Sequence, residues 1–199
     1  ALAAHDRALQ LDATLAEAWC QRSAALRSLG RFEESLQSAA RAVAVRPGFA
    51  DAHVQQAITL IDLGRFAEAQ TQADAALAHD PAHAEAWCFR GMALQRQGDP
   101  NGAVQAYDRA IARKPPYAEA WSNKGVVLHE SGDAEAAIAC FDRALALNGA
   151  KARTWSNRGN ARVTLGHLES ALEDFDRALA LDPGFAEGHY NRAIALQEV

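Results

Sequence analysis

The chain has little cysteine, a single methionine and no long apolar run. Three cysteines among 199 residues are too few for a disulfide framework. No stretch of ~18 or more apolar residues exists, which excludes a membrane-spanning helix and membrane partners of that kind. Excess cation is also missing. A net charge of −5 argues against nucleic acid, because phosphate binding needs clustered positive charge. No P-loop, HExxH, GxSxG or dinucleotide fingerprint is present. The expectation is therefore no catalytic constellation, no cofactor and no enzyme within these residues. Proline is scarce too, with six in all, but its placement is regular.

That regularity is the positive signal. Trp19, His53, Trp87, Trp121, Trp155 and His189 stand at 34-residue intervals. Self-similarity at a fixed period of this size marks a solenoid. With the Trp column as position 4, full repeats cover 16–49, 50–83, 84–117, 118–151 and 152–185. Residues 1–15 read as the second half of one repeat and 186–199 as the first half of another. The expectation is one superhelical domain over 1–199, a piece of a longer chain.

Each repeat is punctuated in the same way. Position 15 is glycine: Gly30, Gly64, Gly98, Gly132 and Gly166. Such a column marks a helix C-terminus needing φ > 0. Asp99 and Asp133 follow as N-caps, with Pro100 suited to a first helical turn. Pro47, Pro81, Pro115, Gly149 and Pro183 stop a second helix. Apolar residues between the stops recur at helical spacing, as in Phe141, Ala144 and Leu145. Each repeat is thus helix A, turn, helix B, turn, and the fold class is an all-α solenoid.

Small residues recur where helices must touch. Position 8 reads Ser23, Ala57, Gly91, Gly125, Gly159 and Ala193, and position 27 is alanine throughout. Positions 4, 11 and 28 carry large residues such as Trp121, Leu128 and Leu145. In the first two full repeats position 24 shrinks to Ala39 and Ala73, while Phe32 and Phe66 appear at position 17. That exchange predicts a roughly unchanged core volume. Arg162 breaks the apolar column at position 11, which predicts an outward-reaching charge and a locally weaker core.

Trp121, Gly125, Leu128, Gly132, Ala137, Phe141 and Ala144, with Pro115 or Pro183 closing the repeat, resemble the tetratricopeptide repeat family. The likeness covers the whole chain. It implies a right-handed superhelix of antiparallel helix pairs, with A helices lining a concave groove that holds a peptide or partner protein. Catalysis in that family comes from a separate domain. His53 and His189 depart from the pattern where it has an aromatic, which predicts looser packing there.

The resemblance places positions 2, 5, 6, 9, 12 and 13 of helix A toward the groove, on one broad helical face. Position 6 reads Gln21, Gln55, Phe89, Asn123, Asn157 and Asn191, carboxamides except for Phe89. Asn160 adds an amide at position 9. An amide carries both donors and an acceptor, so a row of them suits the backbone of an extended peptide. Similar asparagine rows occur in the superhelix attached to the protein O-N-acetylglucosamine transferases, and Asn123, Asn157 and Asn191 hold that column. Met92 and Val126, with Val54, Ile58 and Ile61, make mid-groove more apolar, as partner sites often are.

The family's clamp for acidic C-terminal peptides needs Lys or Arg with Asn across successive A helices. That set is missing, so a neutral or basic partner segment is expected. A scaffold binding such a segment is the leading expectation. The alternatives are the substrate-recruiting arm of a larger enzyme, such as a glycosyltransferase, and a self-assembling solenoid stacking head-to-tail through its open ends.

Cys20 and Cys88 share a position two repeats apart, too far for a disulfide. Cys140 falls on the other helix type. Three free thiols suit a reducing, cytoplasmic compartment. His79 and His83 are four apart, but Asp80 and Pro81 end the helix between them, so no metal site is expected.

Overall fold

In the computed structural model, residues 2–198 are described. The outermost residues of the 1–199 span, Ala1 and Val199, lie outside the described residues. Twelve helices run in order: α1 (Leu2–Leu11), α2 (Ala16–Ser28), α3 (Phe32–Val45), α4 (Ala50–Asp62), α5 (Phe66–His79), α6 (Ala84–Arg96), α7 (Pro100–Arg113), α8 (Ala118–Glu130), α9 (Ala134–Leu147), α10 (Ala152–Thr164), α11 (Leu168–Leu181) and α12 (Ala186–Glu198). The even-numbered helices are the A helices and the odd-numbered ones the B helices. Two compact units emerge, Ala1–Arg113 and Lys114–Val199, and each is treated by itself.

The turns follow from the glycines. Gly30, Gly64, Gly98, Gly132 and Gly166 have φ between 72° and 89°, a region open to glycine because it has no Cβ. The turn then closes on the helix end: Asp133 N–H donates to the Leu128 carbonyl and Gly132 N–H to that of His129, which satisfies orphan carbonyls. Asp133 and Asp99 cap the following B helices by accepting from Ala136 and Gly102 N–H groups.

Curvature can be read from which helices meet. Inside each unit, neighbouring A helices (α2 and α4, α4 and α6, α8 and α10, α10 and α12) approach within 8 Å between Cα atoms. Among the described residues no B helix comes that close to another B helix. A stack closed along one edge and open along the other bends toward the closed edge. The A-helix face is therefore the inner face of each unit.

The A–B crossing sets the core. Gly91 lies under the Tyr107 ring, Gly125 under Phe141 and Gly159 under Phe175; a Cβ at these glycines would stand 2.8, 2.7 and 2.7 Å from ring carbons. Where position 24 is alanine, position 8 enlarges to Ser23 or Ala57. The two columns change together, so the volume exchange runs between positions 8 and 24. Phe32 and Phe66, expected to restore that volume, are only half-buried. They stand at the first positions of α3 and α5, away from the crossing at position 24. The first crossing is instead polar: Ser35 Oγ meets Ser23 Oγ at 2.9 Å and Thr59 Oγ1 at 3.1 Å, all fully buried.

The position-4 column ties each repeat to the turn before it. Trp19, Trp87 and Trp155 donate Nε1–H to the carbonyls of Ala13, Pro81 and Gly149, six residues back, at 2.9, 3.1 and 2.8 Å. His53 and His189 place Nε2 at 3.2 and 3.0 Å from the Pro47 and Pro183 carbonyls. A carbonyl only accepts, so Nε2 carries the hydrogen. The position needs a flat ring with an N–H, which explains why histidine can replace tryptophan. One turn on, Arg22, Arg90, Arg158 and Arg192 pair with Asp6, Asp74, Asp142 and Asp176, sixteen residues earlier, at 2.5–2.7 Å. Gln56 takes this position where the earlier residue is Ala40. Such half-exposed pairs contribute about 0–1 kcal/mol each.

Arg162 differs from its expectation. Its Nη1 donates to the Ser170 carbonyl and lies 2.9 Å from Asp174, which is 1 % exposed. Arg158 binds the same carboxylate through Nε and Nη2 at 2.9 and 2.6 Å. The charge turns inward because a buried carboxylate needs cations around it. Burial pulls the Arg158 guanidinium pKa down, but Asp174 and Asp142 outweigh it and raise the pKa.

Two stability changes follow, both read by thermal and urea unfolding. Gly125→Ala should cost about 1–3 kcal/mol by overpacking, with part recovered by adding Phe141→Leu. Asp174→Ala should cost about 3–5 kcal/mol, because two part-buried guanidinium groups lose the carboxylate they share and only Arg158 keeps another, Asp142. Losses below about half a kilocalorie per mole, the usual range for surface changes, would contradict both accounts.

Candidate functional site

In the first unit the inner face is built from α2, α4 and α6. Gln21 is exposed and Gln55 half-buried, and neither amide bonds to another described residue. Phe89 is different. It is 8 % exposed and lies in a core cluster with Val54, Ala57, Leu77 and Ala86. Set among amides in sequence, it reads as a contact; its ring instead turns into the apolar seam between α4 and α6. Met92, Ile58 and Ile61 pack over that cluster half-buried. Position 5, expected at the groove, is buried in Cys20, Val54, Cys88 and Ser156, because neighbouring A helices close along that line.

Two ion pairs and a histidine–carboxylate hydrogen bond frame this face. Arg27 Nε reaches Asp62 at 2.5 Å, from one A helix to the next. Arg46 binds Glu17 at 2.7 Å, and His83 lies 2.9 Å from Asp51. A bond from its own backbone N–H, then Arg46, holds the Glu17 carboxyl below the usual carboxylate range. These pairings join different columns of the repeat, so no single column revealed them in the sequence.

In the second unit α8, α10 and α12 bring Asn123, Asn157 and Asn191 to the inner face, each half-buried. Asn191 Nδ2 donates to Ser156 Oγ at 3.4 Å, a long bond. Asn157 and Asn160 sit three residues apart on α10, hence ~5–6 Å between Cβ atoms on one face. Neither side-chain amide has a hydrogen-bond partner among the described residues. Val126 packs half-buried against Ala137, Phe141 and Ala161. His129 Nε2 meets Thr164 Oγ1 at 2.8 Å, linking α8 to α10 near the same face.

Among the described residues no group of three or more His, Cys, Asp or Glu could hold a metal ion. No helix among the described residues is long and apolar enough to cross a membrane. All three cysteines are buried thiols outside any disulfide. Burial pushes the Cys20 thiol up to about 11, with the Asp51 charge adding to the effect.

Fold and face together define a repeat solenoid of helix pairs presenting a polar and apolar inner surface. The chain belongs to the tetratricopeptide repeat family: models of that family match residues 16–49, 54–116, 90–152 and 124–197. No curated protein matches this sequence. Solved structures share the fold. The thermophilic TPR protein TTC0263 of Thermus thermophilus superposes with a TM-score of 0.77 at 22% identity, over 92% of this chain and 99% of that one. YrrB, a TPR protein with an unusual peptide-binding site, gives 0.67 at 20% identity, over 97% and 100%. PilW, a type IV pilus biogenesis factor, gives 0.84 at 22% identity, over 94% and 87%.

The thiols supply a check on the buried face. At about pH 8 a thiol at about 11 is far less ionised than a free one near ~8.5, and only the thiolate reacts. Iodoacetamide should therefore label Cys20 slowly in the folded chain and readily in urea. Equal rates in both states would contradict the burial.

Proposed function

We propose that the chain is a protein-interaction scaffold whose inner A-helix face binds an extended polypeptide segment. The observation that carries this is the pair of unengaged amides, Asn157 and Asn160, on the inner face of α10. Asparagine is a poor helix former, and solvation alone is served as well by Glu, Lys or Gln. A carboxamide can donate to one backbone carbonyl and accept from one N–H, whatever side chains the segment carries. Asn123 and Asn191 extend the column by one repeat on either side. The peptide-binding site of the structural relative YrrB supports a ligand of this kind.

Clamping of the backbone separates this reading from side-chain recognition. Short random peptides displayed on phage are selected on the full chain, and hits are measured by calorimetry. Asn157→Ala with Asn160→Ala should weaken binding about tenfold or more, at about 1 kcal/mol per lost bond. N-methylation of central backbone amides in a hit should do the same. Unchanged affinity for every hit in both tests would overturn the amide clamp.

A further inference from the structure

We infer that the inner face of the first unit selects uncharged, aliphatic or aromatic side chains of a partner protein's extended segment. This rests on the A-helix face being the binding face and adds the chemistry of the ligand. Ile58 and Met92 occupy the same repeat position on neighbouring helices α4 and α6, with Ile61 a turn beyond on α4. All three are half-buried over a floor that includes Val54 and Phe89. Such a floor is fixed, because its core neighbours Ala57 and Ala73 are fully buried. Side chains above it keep part of their apolar surface in contact with water, and a ligand side chain would remove that contact.

The surrounding charges decide which ligand fits. Arg27 is paired with Asp62, Arg46 with Glu17, and His83 with Asp51. Both of these arginines are already matched by a carboxylate of this chain, and the His83 ring accepts from Ala86 N–H at Nδ1 and donates to Asp51 through Nε2. A ligand carboxylate would have to displace Asp62 or Glu17, and a ligand ammonium would have to displace Arg27 or Arg46. Either exchange replaces one ion pair by another, so charge adds little attraction, whereas apolar contact adds it directly. The expectation of a neutral or basic partner, drawn from the missing clamp for acidic peptides, therefore narrows to neutral. Arg96, one turn beyond Met92 on α6, is exposed at the edge of the strip. Gln55, one turn before Ile58 on α4, supplies an amide for the segment's backbone.

Short random peptides displayed on phage are selected in parallel on the full chain and on the full chain carrying Asn157→Ala and Asn160→Ala. Hits should be enriched in Leu, Ile, Val and Phe and carry no net charge. Met92→Lys and Ile58→Lys should each weaken them about tenfold or more, in variants that keep the native melting profile. Arg96→Ala should change affinity less than about twofold, and so should raising salt from about 50 to about 500 mM, because no exposed charge contributes. Enrichment of acidic or basic peptides, affinity that falls steeply with salt, or no enrichment at all would overturn the inference. So would full affinity in both lysine variants. The two readings fail separately. Loss of binding in the asparagine variants with none in the lysine variants sinks only the apolar selection; the reverse sinks only the amide clamp. Recovery of a second copy of this chain, seen as concentration-dependent sedimentation blocked by Met92→Lys, would assign the strip to self-association and overturn a peptide partner.

Discussion

The close crossing of helices A and B is the constraint on which the rest depends. At Gly125 a ring carbon of Phe141 stands only 2.7 Å from where a methyl carbon would be. That approach brings the two helices near enough for alanines to fill the remaining contact, and Ala137 and Ala144 are buried accordingly. With each pair drawn tight, A helices meet their A neighbours while B helices diverge. The inner face is a consequence of that asymmetry. Without it, residues on one side of α10 would be ordinary surface.

A second set of contacts carries the order from one repeat to the next. The position-4 ring N–H reaches back to a turn carbonyl, and the position-7 cation reaches back to a carboxylate on the preceding B helix. Both span short sequence separations, so the interfaces form from local pieces, as nearest-neighbour stacking in repeat proteins requires. Neither contact touches the inner face. The repeat thus separates its fold-specifying residues from those free to vary, and the two units use that freedom differently. One presents an apolar strip framed by closed ion pairs, the other a column of amides.

Much of the fold was legible in the sequence. A fixed period, a glycine at every A–B turn and proline at most repeat ends dictate helix pairs with little ambiguity, because φ > 0 and a missing N–H have few structural solutions. What escaped is pairwise. Arg162 read as a defect because column 11 was compared only with itself; its partner Asp174 is twelve residues on, in a column elsewhere filled by small or neutral residues. His53 and His189 read as losses because the ring's bulk was weighed and its N–H was not. The exchange between positions 8 and 24 was visible in the letters, but the aromatics at position 17 offered a rival explanation. For the candidate site, the amide column was legible and Phe89 was not, since an aromatic among amides can face either way until its apolar neighbours are known.

The central claim is that the inner A-helix face carries the ligand. It is tested most directly by nuclear magnetic resonance of the full chain titrated with a phage-selected peptide. The account predicts shifts in the side-chain NH2 signals of Asn157 and Asn160 for a peptide held by the second unit, and in the methyl signals of Ile58 and Met92 for one held by the first. Signals from Arg143 on α9 and Arg177 on α11, both exposed on B helices, should stay in place. Shifts confined to the B helices, with the asparagine signals unmoved, would contradict it.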